Sequence, residues 1–295
     1  MHVRAWPALV ALALVVTNAP ADEPPLHPWI LIEGRSWQVS SAGAEDVTTT
    51  DAAEQTRGAC PAGMVEIAGR TKIDGPQSIE LLQETVCTDW IRREYPQRCG
   101  VFDEAGWKKI SGDLPTRAMH FCIDRFEYPN LRGAYPIIYV TWYEAKAFCA
   151  RTSKRLCTED EWTFACEGEE AVPYPYGYAR DDTACVIDRE HRPFSEEKFR
   201  DRASADAMHE LDRLWQGEPS GSRPRCKSPF GVYDQTGNVD EWTVSTQHGG
   251  YPSILKGGYW GRIRAGCRPS TRAHGETFAF YQQGFRCCAD PPPPP

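Results

Sequence analysis

Apolar and polar positions alternate most legibly in the middle of the chain, where two short helices are predicted. Trp142, Ala145, Phe148 and Cys149 recur at helical spacing behind Thr141 and Glu144, and Trp162, Ala165 and Cys166 do so behind Thr158 and Glu161. Each leading pair is a capping box, a hydroxyl at the N-cap with a carboxylate three residues on, so both segments start helices and turn Cys149 and Cys166 inward. Trp142 and Trp162 are expected in the core. Met208, Leu211, Leu214 and Trp215 predict a further surface helix, with Glu210, Asp212 and Arg213 outward. Residues 71–119 read as an insertion in which SIELLQETV is the only predicted helix. The tyrosine-rich stretch Tyr174 to Ala179 reads either as a cover over a loop-rich core or as the lining of a groove.

Phe230, Val232 and Tyr233 make a short apolar run that the polar stretch from Asp234 to Gly237 closes, and Gly237 and Asn238 suit a turn with positive φ. After that turn, Asn238, the carbonyls of Gly237 and Val239, and the Glu241 carboxylate lie close enough in sequence to meet at one point. Calcium takes six to eight oxygens, and such a loop supplies about half of that shell. The other reading is an Asx-turn whose Glu is solvated.

The ends differ from the middle. Met1 to Ala21 carries Arg4, an apolar run from Ala8 to Val16, and Ala19-Pro20-Ala21, a pattern expected of a signal peptide cleaved after Ala21. The apolar run is too short to cross a bilayer, so no membrane insertion is expected. Residues 22–59 lack apolar periodicity and read as a linker or loosely held arm, and Pro291 to Pro295 read as a polyproline tail.

Composition narrows the function. The formal net charge is -8, and no basic stripe interrupts it, which argues against nucleic acid as a partner. Twelve cysteines behind a signal peptide imply a disulfide framework in an oxidising compartment, hence a secreted or periplasmic protein. No C-x-x-C occurs, and the seven histidines are scattered without ligand spacing, so zinc is not expected.

The motifs carry a family resemblance. GNVDEWT, at Gly237 to Thr243, resembles the GNVWEWT signature of the formylglycine-generating-enzyme, or sulfatase-modifying-factor, family. Cys60 to Gly69, CPAGMVEIAG, is similar to that family's opening strand, and Phe121 to Asn130, FCIDRFEYPN, to its ID-aromatic-E-x-x-N segment. Pro136 to Gly168 resembles its two helices and the KRLPTEAEW turn, while Lys256 to Trp260 and Gly284 to Cys287 resemble its GGSW and GFR strands. These segments stand in family order. The resemblance implies one α+β domain from residue 60 to 290, a variant of the C-type-lectin-like fold, with insertions at 71–119 and 188–228.

It also implies particular residue roles. Calcium would be held by Gly237, Asn238, Val239 and Glu241, at one site only, since Val186-Ile187 stands where a second site needs an Asn. The helix cysteines would pair as Cys149 with Cys287 and Cys166 with Cys267; Cys288, adjacent to Cys287 and facing the other way on a strand, is an alternative partner for Cys149. Family enzymes carry two thiols in C-x4-C spacing that bind copper and oxidise a substrate cysteine. Here the first position falls on Arg262, and Cys267 fits the family's structural cysteine better than its second thiol. A lone thiolate cannot provide the two sulfurs that Cu(I) favours, so copper is not expected. Arg262, Arg264 and Arg268 read as surface ion pairs or an anion-binding patch, and Arg272 and Arg286 as buried supports. Two functions stay open: a non-catalytic binding or scaffold module for a protein or carbohydrate ligand, or an oxidative protein-modifying enzyme acting through Cys267 and a distant thiol.

Overall fold

A computed structural model describes residues 59–247 and 249–291; the expected signal peptide and arm, and the tail beyond Pro291, lie outside the described residues. Met64, Val65 and Ile67 anchor strand β1 (Met64–Lys72) in the core. The insertion then contributes α1 (Ile79–Thr85), the hairpin β2 (Cys87–Arg92) and β3 (Arg98–Phe102), and α2 (Glu104–Ser111). Strand β4 (Thr116–Asp124) returns antiparallel to β1, in register from Met64 opposite Asp124 to Lys72 opposite Thr116, so the insertion projects from the loop end of one long hairpin. The chain continues through α3 (Trp142–Arg151), β5 (Arg155–Leu156), α4 (Glu159–Glu167), a 3-10 turn (Glu196–Phe199) and α5 (Ala205–Leu214). It ends with β6 (Asp240–Val244), β7 (Ser253–Gly257), β8 (Gly266–Thr271), β9 (Gln283–Phe285) and β10 (Cys287–Ala289).

Two four-stranded sheets result, ordered β1-β4-β10-β5 and β8-β7-β6-β9, with the insertion hairpin as a separate pair. Within the second sheet β6 and β9 run parallel, so Asp240 lies beside Gln283 and Glu241 beside Gly284. Both capping boxes form: Thr141 accepts from Glu144 N and Thr158 from Glu161 N, and each Glu accepts from its N-cap N–H in return. The α3 face packs Trp142, Ala145 and Phe148 with Leu156, Trp242 and Phe285; the α4 face packs Trp162 and Ala165 with Ile67, Phe121 and Val232.

All twelve cysteines are bridged. Cys149 joins Cys287, Cys166 joins Cys267, and Cys288 joins Cys157. Cys60–Cys122, Cys87–Cys99 and Cys185–Cys226 complete the set.

Three sequence expectations need correction. The insertion holds a second helix, α2, anchored by the fully buried Trp107, whose indole N–H donates to Glu170 O at 2.9 Å. Glu210 turns inward on α5, buried, where its carboxylate meets Arg213, Lys198 and Ser195 N; this holds its pKa near 2. Arg272 is not a buried support but a half-exposed partner of Glu159. Tyr174 is buried and stacks on Tyr176 at 5.5 Å, with its hydroxyl donating to Cys99 O.

Candidate functional site

The turn before β6 forms because Asp234, Gly237 and Asn238 all adopt positive φ. Gly237 has a second reason: a Cβ there would lie 2.3 Å from Val186 O. Beyond the turn, Asp240 and Glu241 leave the strand on opposite faces, as the two-residue period requires.

Glu241 enters the core. The Arg286 guanidinium donates to both its oxygens at 2.6 and 2.7 Å, and Trp162 donates its indole N–H at 2.8 Å. Arg286 is itself fully buried and also donates to Tyr233 O and Asp124 O. Asn238 turns into a neighbouring network: its amide donates to Glu127 at 2.8 Å, and its Oδ1 accepts from Glu218 N at 2.8 Å. Glu127 also accepts from the Ser220 hydroxyl at 2.6 Å, and Asp234 accepts from Gly221 N at 2.6 Å. Burial pushes the Glu127 carboxyl well above the usual range, and Asp234 and Glu241 nearby push the same way. Burial likewise raises Asp234 to about 7, against the Gly221 hydrogen bond.

The expected calcium ligands therefore serve two separate networks. Calcium at Gly237, Asn238, Val239 and Glu241 would have to displace Arg286 and Trp162 from one side chain and Glu218 N from the other, so the loop as folded does not fit that ligand set. Among the described residues no group of three or more His, Cys, Asp or Glu side chains is placed to hold a metal ion.

Asp240 faces the other way, onto the floor of a cleft of about 290 Å³ whose lining includes Leu255, Gly258, Tyr259, His274 and Gln283. It neither faces bulk water nor joins the loop. It is buried, and its side chain accepts one hydrogen bond, from Gly258 N at 3.2 Å. Desolvation raises its pKa to about 7. Tyr95, at the tip of the insertion hairpin, forms part of the rim and lies over the Arg264 guanidinium at 5.2 Å. A second cleft of about 200 Å³ beside it, sharing Tyr259 and Ile263, holds Arg262 and His191.

The remaining arginines are engaged. Arg264 pairs with Glu80 at 2.7 Å, and Arg268 reaches the fully buried Glu167, so the latter is an interior pair and not the surface pair expected. Lys256 lies buried over the Trp162 ring and donates to Arg268 O at 2.7 Å; burial lowers its pKa to about 8. Sequence reasoning gave no role to Glu127, Asp234, Gln282 or Gln283. The one signal available was Asp240 itself, in place of the aromatic residue of the GNVWEWT pattern.

The family follows from comparison. The model of the "Sulfatase-modifying factor enzyme 1-like domain" matches residues 80–291, and the chain belongs to that family. It is 29% identical over 185 residues to the inactive C-alpha-formylglycine-generating enzyme 2 of Bos taurus, covering 55% of this chain and 52% of that one. To the formylglycine-generating enzyme of Mus musculus it is 28% identical over 188 residues, covering 54% and 45%. The chain thus spans about half the length of these curated relatives. The structure of PvdO from Pseudomonas aeruginosa superposes with a TM-score of 0.48 at 18% identity, over 79% of this chain and 95% of that one. The family match, with the mixed helices and strands described above, makes the fold the α+β fold of the formylglycine-generating-enzyme type.

Proposed function

We propose that this chain is an exported, non-catalytic module of the sulfatase-modifying-factor type, which binds a ligand in the groove beside β6 and β9. The observation that carries this reading is the state of the cysteines. Cys267 is bridged to Cys166, Arg262 stands at the other thiol position, and no cysteine is free. A reaction that needs two neighbouring thiolates has no residues here to perform it. The alternative, oxidation through Cys267 and a distant thiol, would require opening a bridge whose sulfurs are fully buried. Six disulfides support an oxidising compartment outside the cytosol.

Incubation of the oxidised protein with a sulfatase-type cysteine peptide, Cu(I) and oxygen tests the reading by mass spectrometry. The peptide is expected to keep its cysteine. Conversion to an aldehyde would overturn the non-catalytic assignment.

A further inference from the structure

The cleft above Asp240 carries two buried polar atoms without a partner in the protein, beside a carboxylate that accepts a single side-chain hydrogen bond. Asp240 spends one hydrogen bond on Gly258 N. Gln282 Oε1 and Gln283 Nε2 are buried and have no hydrogen-bond partner in the protein, although Gln283 Oε1 accepts from Phe280 N at 2.8 Å. All three residues line the same cleft. The β6–β9 pairing fixes them together, with Asp240 beside Gln283 and Asp240 N donating to Gln282 O at 2.9 Å. Unmet polar groups in one buried place are costly, at roughly 1–3 kcal/mol each. Two on one cleft floor, beside the Asp240 carboxylate, mark a place that a ligand completes.

Charge decides which ligand. Two cations near the cleft have other direct partners, Arg264 in Glu80 and Ser270 O and Lys256 in Arg268 O, although the Lys256 charge still acts on Asp240. Glu241, next on the strand, is neutralised by Arg286. Asp240 itself stands in no ion pair among the described residues, at the base of an open cleft. Tyr259 on its wall supplies an aromatic face of the kind that attracts a cation.

We infer that this cleft is a subsite for a primary ammonium group, of the kind a lysine side chain presents on a polypeptide. Asp240 and Gln282 Oε1 accept from the ammonium, and Gln283 Nε2 donates to a carbonyl of the same ligand. A compact ammonium with three donors fits two neighbouring acceptors on a cleft floor, whereas a planar guanidinium needs its acceptors side by side in one plane. The inference deepens the binding-module reading and rests on it.

The test is calorimetric titration of the intact, fully oxidised protein with Nα-acetyl-lysine methylamide, its Nε-acetylated form and the arginine equivalent. The lysine probe is expected to saturate one site. Loss of a charged hydrogen bond is worth roughly tenfold or more in affinity, so the Nε-acetylated probe, and the lysine probe on Asp240→Asn, should each bind at least that much more weakly. Gln282→Leu, which leaves the carboxyl in place, should weaken binding as well. A wild type that does not saturate, an acetylated or arginine probe that binds as tightly, or binding indifferent to Asp240→Asn would overturn the subsite. Those results would leave the peptide-oxidation assay untouched, whereas aldehyde formation there would overturn the module reading whatever the amine did.

Discussion

Arg286 and Glu241 form an ion pair with neither side chain in contact with water. Breaking such a pair from one side leaves a buried, uncompensated charge, which costs about 3–5 kcal/mol. Arg286→Met should therefore lower the urea midpoint by an amount of that order, and Arg286→Met combined with Glu241→Gln should recover much of it. Equal loss in both variants would show that packing, and not charge, governs the site. Asp234 gives a separate signature in pH. Its folded pKa of about 7 lies above the ordinary carboxyl value, so the folded state holds a proton that the unfolded chain has released. The stabilisation this gives is complete below about pH 4 and is lost as pH rises towards 7. Asp234→Asn should flatten that part of the stability profile, which thermal melts at stepped pH would read. A profile unchanged by the substitution would place the proton elsewhere, with Glu127 the nearest candidate.

At the scale of elements, legibility followed how local the signal was. The capping boxes of α3 and α4 are written within four residues and could be read directly. Helix α2 has only Trp107 and Ile110 as large apolar residues, a glycine near its start and an N-cap Asp103 that makes no side-chain bond, so no pattern announces it. Glu210 misled for a related reason: amphipathic periodicity assigns a charge to the wet face, and only the 3-10 turn bearing Lys198 supplies the cover that buries it. The loop before β6 shows both cases. Its positive φ values were legible from Gly237 and Asn238, but the ownership of Glu241 was not, because Arg286 and Trp162 come from segments 45 and 79 residues away. Replacing chelator by calcium should accordingly leave the melting midpoint where it is. A rise that Glu241→Ala abolishes would show that the loop reorganises around the ion.

At the scale of the molecule, the adjacent pair Cys287 and Cys288 ties the last strand to two places at once, to α3 through Cys149 and to the residue preceding the α4 cap through Cys157. Those partners lie 138 and 131 residues earlier. During synthesis Cys149 and Cys157 therefore emerge long before the sulfurs they finally hold, with Cys166 close behind and equally unpaired until Cys267 arrives. In an oxidising lumen such waiting thiols combine with one another, and the native set must then be reached by thiol–disulfide exchange. Maturation in such a compartment is therefore expected to depend on a disulfide isomerase. Oxidative refolding with and without such an enzyme, followed by peptide mapping, should show the Cys149–Cys287 and Cys157–Cys288 pair accumulating mainly when it is present. Equal yields would mean that the sheet assembles before the thiols react, and that the final strand selects its own partners.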